Sequence, residues 1–570
     1  MFLTLGVMAL AYPEDGIHIG DTTLRYPKLS QVFEKAETTT DSAGNEVKVE
    51  QVDPEEAIRQ MMEETKAKQF AAYSDSLKYY EDFFREGRTR FDLPNDDLTW
   101  FDRFFTNLQN AQKDSSVVHI IHYGDSQLEE DRISSAIRED LQTEFGGNGP
   151  GLLPAVMHIP SQTTSQWNNG NMQRYIIFGP KEEHATHNRY GPLAQVGELS
   201  GSAVVNIKKR ESKKDMFPHV GGYSTIKVLA GKKGNLKVRL TYEHEVAEEV
   251  GQNADGTPKI KFKNKKETAE DPVYEEFTKL RVYTWKLPDT TSNIKLYLSG
   301  RTEIYGISVD GAYGVAVDNV AMRGSSGTIF HKIDNELLAE SYKAVNAKLI
   351  IMEYGGNMVP SMTPKVLDWS KKLITRQIQA IQKANPDADI LFIGPAHMAK
   401  QYNGRWQTYP GLGITIKMLR EVALENGLAY WDMYRVMGGE GSMIKWVKKS
   451  PPLGFTDHVH FTRRGAAYMG DLFCSSLHMY YDYFQFRERH NLNDSKLKDI
   501  RKISNKKAPV ADTTKVIESN TKSNNKAKSI KAGGGISEKK ACHYCGYYRH
   551  IQHRFYGSLR KGYGNYTGLL

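Results

Sequence analysis

The chain has 570 residues, of which 39% are hydrophobic and 25% are charged, and its formal net charge is +8. The length suits two or three domains, and the composition is that of an ordinary soluble protein. Residues 490–570 hold 17 Lys or Arg and 5 Asp or Glu, a net charge of +12, so residues 1–489 carry −4. Because the positive charge is confined to the tail, the composition does not call for a nucleic-acid partner.

Residues 1–11 are predicted to be a truncated export signal. The apolar run from Phe2 to Tyr12 is too short to span a bilayer and ends in Ala9-Leu10-Ala11, a pattern like a signal-peptidase site. No basic segment precedes it, which indicates a truncated start, and the alternative is a short buried strand. No other apolar run is long enough for a membrane span, so we expect a periplasmic or secreted bacterial protein without stable membrane insertion.

Residues 12–115 are predicted to form a helical lead-in. Residues 54–84 carry helix formers, with acidic residues early and a proline at the first helical position. A second amphipathic helix is predicted over residues 98–112.

An α/β segment is predicted over residues 116–157. The run from Ser116 to His122 is apolar and rich in β-branched residues, which is typical of a buried strand. It leads into Gly124-Asp125-Ser126, after which a helical pattern with one apolar face is predicted. That face holds Leu128, Ile133 and Ile137.

The pattern changes over residues 158–304, which we predict to be an inserted β-sandwich or jelly-roll domain. Short runs of alternating apolar and polar residues are separated by Gly, Asn and Lys turns, which is an all-β signature. The charged stretch from Lys259 to Glu275 is predicted to be an exposed loop. The predicted strands lie at 174–178, 203–207, 225–229, 236–240, 280–284 and 294–298.

Strands alternate with helices again over residues 305–489. This order predicts a parallel sheet covered by helices on both faces, interrupted by the β domain. The strands are predicted at 315–321, 348–354, 389–394 and 428–431, and the helices before 345, at 364–384, at 414–426 and after Thr462.

The tail, residues 490–570, is rich in Lys, Asn, Ser and Gly and is predicted to be low-complexity chain. Its Cys542 and Cys545 form one C-x-x-C, which alone falls short of the four ligands of a structural zinc site. Cys474 lies in an apolar stretch and is interpreted as a small core residue.

Four local patterns hold groups that acyl-transfer chemistry requires: a nucleophile, a base and donors for an oxyanion. Ser126 follows the first predicted strand, where it is exposed, although it could simply cap a helix. Gly324 lies in the loop after a later strand, where a backbone N–H can approach a ligand closely. Asn357 follows Gly355-Gly356 and could donate from its carboxamide, although it is also a common turn residue.

The fourth pattern is Asp457-His458-Val459-His460, which precedes the last predicted helix. An acid three residues before a base can hold the imidazole in one tautomer and stabilise its charged form. His458 has the wrong spacing for that role and is expected to be exposed or structural. A zinc site at His458 and His460 lacks a clear third ligand.

In their order along the chain, these patterns resemble the blocks of the SGNH/GDSL hydrolase family. The resemblance covers about residues 116–155 and 313–477. It implies a flavodoxin-like three-layer α/β/α fold with a catalytic triad of Ser126, Asp457 and His460. It also implies an oxyanion hole from the Ser126 N–H, the Gly324 N–H and the Asn357 side chain, with no metal and no cofactor.

Two blocks depart from the family pattern. The first continues as GDSQ rather than GDSL, and the third has Met358 after Asn357, where many members have Asp. The inserted β domain resembles the arrangement in bacterial peptidoglycan O-acetylesterases, where a carbohydrate-binding-type domain interrupts the fold. Aromatic residues of this domain could stack on sugars, although such residues are more often core. They are Trp167, Tyr283, Trp285 and Tyr297.

The resemblance implies a serine esterase that removes O-acyl groups, above all O-acetyl groups, from an acylated polysaccharide or peptidoglycan. A glycan O-acyltransferase shares the acyl-enzyme and is one alternative. A carbohydrate-binding protein with a vestigial triad is another. A lipase is disfavoured, because the mean hydropathy is −0.56 and no apolar lid segment is evident.

Overall fold

The computed structural model describes residues 76–211, 216–253, 255 and 257–493. It also describes the backbone of four short strands nearer the N-terminus: Ile17–Ile19, Thr22–Leu24, Thr39–Thr40 and Glu46–Val47. The predicted export signal, most of the helix predicted at 54–84, and the Cys542-Cys545 pair lie outside the described residues.

A six-stranded sheet forms the centre of the α/β part, and its first five strands in spatial order run parallel. A short strand missed from the sequence pairs antiparallel at the edge. The five parallel strands are almost wholly buried, which explains their continuous apolar runs. In spatial order the strands are Gly314–Ala321, Val117–Gly124, Ala347–Glu353, Asp389–Ile393, Ala429–Trp431 and Phe91–Asp92. The predicted α/β fold class is confirmed.

Helices cover both faces of this central sheet, because successive strand residues point to opposite sides. Val118 and Ile120 face one apolar cluster, and Ile121 and Tyr123 face the other. The first cluster is covered by Asp102–Lys113, Ser134–Phe145, Met433–Met437, Ser442–Val447 and Arg463–Arg489. The second is covered by Asn335–Ala344, Leu367–Ala384 and Leu412–Glu425. No helix in the described part of the chain has the length and apolar character needed to cross a membrane.

An eight-stranded antiparallel sheet interrupts the α/β part between Phe145 and Gly314. The long strand Leu280–Asp310 is central to this sheet, since five other strands pair with it. The sheet thus extends beyond the predicted range 158–304 at both ends. Its strands are Gly151–Leu153, Thr164–Ile176, Gln195–Lys209, Tyr223–Gly231, Asn235–Gln252, Pro258–Thr268, Val273–Glu276 and Leu280–Asp310.

Two local predictions are wrong. The stretch from Lys259 to Glu275 is not a loop, because it contains all but the first residue of the strand Pro258–Thr268 and most of Val273–Glu276. The first of these strands is exposed along nearly its whole length, so its side chains do not alternate between buried and exposed positions. Cross-strand pairs such as Lys263 with Glu248, 2.6 Å apart, help to hold it in place.

The helix predicted directly after Ser126 is also wrong. Residues Ser126–Asp131 form a short 3₁₀ turn, in which Glu129 is extended and Glu130 has a positive φ of 60°. The regular helix begins only at Ser134. The apolar spacing of the sequence therefore spans a turn and a helix rather than one continuous helix.

A buried charged cluster joins the β domain to the central sheet. His119 Nδ1 lies 2.9 Å from Asp318 Oδ2, and His119 Nε2 lies 3.5 Å from Asp310 Oδ2. Asp318 also accepts a hydrogen bond of 2.7 Å from the N–H of Leu152, in the first strand of the β domain. Because Asp310 ends the last strand of that domain, the cluster binds the domain at both of its connections.

Candidate active site

The register of the central sheet brings three of the four predicted site loops to one edge. Gly124 lies opposite Ala321 on one side and Glu353 on the other. Because these parallel strands end level with each other, the loops that carry Ser126, Gly324 and Asn357 leave the same edge of the sheet.

Ser126, His460 and Asp457 form a continuous hydrogen-bonded relay. Ser126 Oγ lies 2.8 Å from His460 Nε2, and His460 Nδ1 lies 2.7 Å from Asp457 Oδ2. The second carboxylate oxygen of Asp457 accepts the backbone N–H groups of Val459 and His460, at 2.9 and 3.0 Å. Partial burial raises the pKa of Asp457, but these hydrogen bonds outweigh it and hold that pKa below its usual value. Asp457 is therefore suited to remain ionised and to orient the imidazole.

The loop that carries His460 is anchored on both sides. Phe455 N–H donates to the His460 carbonyl at 2.8 Å, and Phe461 is fully buried. The Thr462 side chain then caps the last helix by accepting from Gly465 N–H at 3.1 Å. These contacts fix the imidazole before any substrate binds.

Gln127, at the position where the motif departs from GDSL, binds the His460 loop directly. Its carboxamide donates to the Val459 carbonyl at 2.8 Å and accepts from Phe461 N–H at 3.2 Å. These two backbone groups lie on either side of His460. Gln127 therefore holds the base next to the nucleophile that precedes it in the chain.

Arg132 also joins the turn that carries Ser126 to the loop that carries His460. Its guanidinium donates to the carbonyls of Ser126 at 2.7 Å, Phe461 at 3.0 Å and Glu129 at 2.8 Å. The first two bonds join the nucleophile turn to the His460 loop, and the third fixes the turn itself. Neither Gln127 nor Arg132 was identified from the sequence, where only the departure from GDSL marked the first of them.

Replacing Gln127 with leucine is expected to lower kcat for ester hydrolysis about tenfold with little change in KM. The change removes two hydrogen bonds, each worth roughly 0.5–1.5 kcal/mol, that hold His460 in reach of Ser126. Steady-state kinetics on p-nitrophenyl acetate would measure this split. A matched control is Gln382→Leu, because Gln382 donates to the Asn426 carbonyl far along the chain from the relay. Equal kcat values in the Gln127 variant and wild type would contradict the positioning role.

The predicted oxyanion donors Gly324 and Asn357 are both exposed. Gly324 has a φ of +74°, and no atom lies within 4 Å of the position a Cβ would take, so its backbone borders open space. The carboxamide of Asn357 donates to Asp125 Oδ2 at 3.1 Å and to the Ser325 carbonyl at 3.0 Å. An oxyanion would therefore compete with one of these two acceptors for an Asn357 hydrogen.

Asp125 is a buried carboxyl group beneath the site. It accepts the Gln127 N–H at 3.0 Å in addition to the Asn357 carboxamide, so it links the first and third site loops. Burial raises the pKa of Asp125 to about 7, and the negative charges of Glu353 and Glu129 contribute to the rise. Above pH 7 its ionised form is a stronger acceptor for both donors.

His458 does not take part in the relay. Its ring stacks on Trp406 with 3.6 Å between ring centroids, and it is 6% exposed. The His458 carbonyl accepts from Ala399 N–H at 3.0 Å, which joins the His460 loop to the hairpin Ala399–Tyr402 and Arg405–Thr408. This agrees with the structural role expected for His458.

The four β-domain aromatics differ in accessibility. Trp285 belongs to the domain core and donates to the Glu270 carbonyl at 3.0 Å. Arg239 covers the ring of Tyr297 at 4.1 Å, and Tyr283 packs against Tyr274. Trp167 alone of the four is exposed, at 44%. Cys474 is fully buried, so its prediction as a core residue is confirmed.

Comparisons with known proteins find similarity at the level of structure. No protein-family model matches the chain, and no curated protein matches it. A solved peptidoglycan O-acetylesterase has 17% identity and a TM-score of 0.47, covering 67% of this chain and 96% of that one.

Two further solved structures match only part of the chain. A lipase/acylhydrolase from Enterococcus faecalis is 18% identical, with a TM-score of 0.22, and covers 29% of this chain and 76% of its own. An acetyl xylan esterase is 17% identical, with a TM-score of 0.23, and covers 29% and 81%.

Proposed function

We propose that this protein is a serine esterase. The observation that carries the proposal is the relay from Ser126 Oγ through His460 to Asp457, with contacts of 2.8 and 2.7 Å. Nucleophile, base and orienting carboxylate are each within hydrogen-bond reach of the next, which is the arrangement that activates a serine hydroxyl. The exposed edge around Ser126, Gly324 and Asn357 leaves room for an acyl group.

In the proposed reaction, His460 Nε2 takes the Ser126 proton as Oγ bonds to the acyl carbonyl carbon. Asp457 stabilises the resulting imidazolium. The N–H groups of Ser126 and Gly324 and the Asn357 carboxamide bind the oxyanion. The imidazolium then returns its proton to the departing alcohol oxygen, which leaves an acyl-enzyme. Water, deprotonated by His460, attacks this ester and releases the acid and free Ser126.

The proposed substrate is a polysaccharide that carries O-acyl groups, above all O-acetyl groups, outside the cytoplasm. A small acyl group suits an active site whose serine lies in a short turn at the sheet edge. The location rests on the apolar N-terminal segment with its Ala9-Leu10-Ala11 pattern, which lies outside the described residues.

Acetate release from O-acetylated peptidoglycan and from acetylated xylan, measured side by side, tests this proposal. Wild type should release acetate from at least one of them, and Ser126→Ala from neither. Cleavage of p-nitrophenyl acetate without release from either glycan would keep the relay and reject these substrates. Failure to turn over any ester, or activity that persists in Ser126→Ala, would overturn the assignment.

A further inference from the structure

The direction of the Gly324 N–H depends on the contacts of the loop around it, residues 322–327. Gly324 has a φ of +74°, and apart from its chain neighbours no atom of the described residues lies within 4 Å of the position a Cβ would take. A glycine in such open space has wide conformational freedom of its own. An oxyanion donor is effective only when it is already aimed at the place where the charge develops. Contacts elsewhere in the loop must therefore restrain Gly324 if it is to act.

Two backbone groups anchor this loop to the rest of the site. Met322 N–H donates to the Gly124 carbonyl at 2.8 Å, which fixes the start of the loop to the strand that leads to Ser126. Beyond Gly324, the Ser325 carbonyl accepts from the Asn357 carboxamide at 3.0 Å. The loop is therefore held at its start by the first site segment and after Gly324 by the third.

Arg323, directly before Gly324, joins the loop to the turn Ser126–Asp131. Its guanidinium pairs with both carboxylate oxygens of Glu129, Nε with Oε1 and Nη2 with Oε2, the second contact at 2.5 Å. A planar guanidinium that meets two oxygens at once fixes direction as well as distance. The Arg323 side chain is 70% exposed, so it covers the turn from outside and its removal leaves no cavity.

Glu129 is a firm attachment point, because it is buried and tied to the nucleophile. It is 6% exposed and lies in the same turn as Ser126. Its carbonyl accepts from Arg132 Nε at 2.8 Å, and Arg132 Nη2 donates to the Ser126 carbonyl at 2.7 Å. The pair of Arg323 and Glu129 therefore sets the position of the residue before Gly324 relative to the nucleophile.

A second contact between the two segments lies further from Gly324. The Asn319 carboxamide donates to the Leu128 carbonyl at 2.9 Å. Asn319 belongs to the strand Gly314–Ala321, five residues before Gly324. This contact fixes the strand to the turn, whereas Arg323 fixes the loop itself.

We propose that Arg323 is a positioning residue of the oxyanion hole, which through its pairing with Glu129 holds the Gly324 N–H toward the oxyanion formed at Ser126. It acts through Gly324 rather than on the reacting atoms. The inference rests on the proposed esterase function and adds a residue that the sequence analysis did not identify. An oxyanion forms when Ser126 is acylated and again when water releases the acid, so Arg323 serves both steps.

Kinetics on p-nitrophenyl acetate test this role. Arg323→Met should lower kcat about tenfold with little change in KM, because the oxyanion exists in the transition state and not in the bound ester. Removing a whole oxyanion donor costs about 10²- to 10³-fold in kcat, and a misdirected donor should cost less. Arg323→Lys keeps the charge without the two-pronged contact, so its kcat should lie between those of Arg323→Met and wild type.

Two further variants separate positioning from general destabilisation. Arg323→Met alone leaves the buried Glu129 carboxylate without its counter-charge, whereas Glu129→Gln, Arg323→Met removes both charges and should have an equally low kcat. Arg103→Met is the matched control and should keep the wild-type kcat. Arg103 is 50% exposed and meets the buried Asp389 at 2.5 Å, at the end of the strand Asp389–Ile393 that lies away from the site loops. A wild-type kcat in the double variant, or equal losses in Arg323→Met and Arg103→Met, would overturn the inference.

Methylboronic acid measures oxyanion binding without turnover. Ser126 Oγ bonds to boron and its proton passes to His460 Nε2, which gives a tetrahedral boronate with a hydroxyl group in the place of the oxyanion. In calorimetric titrations, Arg323→Met should raise the Kd of this compound by the factor by which it lowers kcat/KM. An unchanged Kd with a lowered kcat would place the effect of Arg323 elsewhere and overturn the inference alone. A wild-type protein that binds no boronate and cleaves no ester would reject the proposed function, and this inference with it.

Discussion

Replacing either Ser126 or His460 with alanine is expected to lower kcat for p-nitrophenyl acetate by about 10⁴- to 10⁶-fold, and replacing both should cost no more than either alone. The reason is that the 2.8 Å contact between Ser126 Oγ and His460 Nε2 makes the two side chains one functional unit. Without the imidazole the hydroxyl keeps its proton, and without the hydroxyl the imidazole has no nucleophile to activate. Single and double variants measured under single-turnover conditions would show this non-additivity.

The carboxylate provides a graded control for the same experiment. Asp457→Asn should lower kcat by about 10⁴-fold, because a carboxamide favours the wrong imidazole tautomer and cannot stabilise imidazolium. Thermal unfolding of all variants should remain near that of wild type, since Ser126 and His460 are only partly buried and Asp457 is exposed. If the losses in kcat were additive in the double variant, Ser126 and His460 would act separately, which would contradict their role as one functional unit.

The strands and the relay were predictable because both depend on local patterns. The strand Ala347–Glu353 is buried on both faces, and its sequence is therefore a nearly continuous apolar run. The positions of Ser126, Gly324 and Asn357 follow from the rule that loops after parallel strands share one edge. Asp457 and His460 lie three residues apart, so their contact needs little more than a turn.

The contacts that position the site were not predictable from such patterns. Gln127 contacts the backbone on both sides of His460, more than 300 residues later in the chain. No local spacing marks that pair. The engagement of Asn357 by Asp125 and Ser325 likewise depends on how three separate loops meet.

The errors in the fold have a related cause. The strand Pro258–Thr268 is exposed along nearly its whole length, and its many lysines obscured the alternation of Ile260 and Phe262 with polar residues. The turn at Ser126–Asp131 keeps apolar residues at helical spacing while its backbone leaves the helical conformation at Glu129 and Glu130. At the turn, tertiary contacts rather than local preference decide the backbone conformation.

The charged cluster at the domain junction is the clearest example of a contact that sequence does not reveal. His119 lies within a predicted strand and would ordinarily count as one more sheet residue. In the structure it is 1% exposed, between Asp318 at 0% and Asp310 at 1%. Burial lowers the pKa of His119, but the charges of Asp318 and Asp310 outweigh it and raise that pKa to about 10.

Replacing His119 with alanine is expected to lower the free energy of unfolding by about 3–5 kcal/mol, the usual cost of removing one partner from a buried ion pair. The variant leaves Asp310 and Asp318 buried without their counter-charge. Urea unfolding at pH 7 would measure the loss. His478→Ala is a matched control, because His478 pairs with Asp140 at 2.6 Å where both side chains are partly exposed, and it should cost at most about 1 kcal/mol. Equal losses in the two variants would contradict a special role for the buried cluster.

The same cluster is expected to stabilise the folded protein less as pH rises. The pKa of His119 is about 10 in the folded protein and 6.5 for an ordinary histidine, so the folded state holds the proton more tightly. Its contribution to stability is then complete below about pH 6.5 and is lost as pH rises toward 10.

Lys227 also faces Asp310, and its pKa is lowered in the folded protein, so its effect on stability changes with pH in the direction opposite to that of His119. Wild type must therefore be compared with a variant that keeps Lys227. The triple variant His119→Leu, Asp310→Asn, Asp318→Asn serves this purpose. Wild type should lose more stability than the triple variant between pH 7 and pH 10, and parallel curves would show that His119 carries no proton at neutral pH.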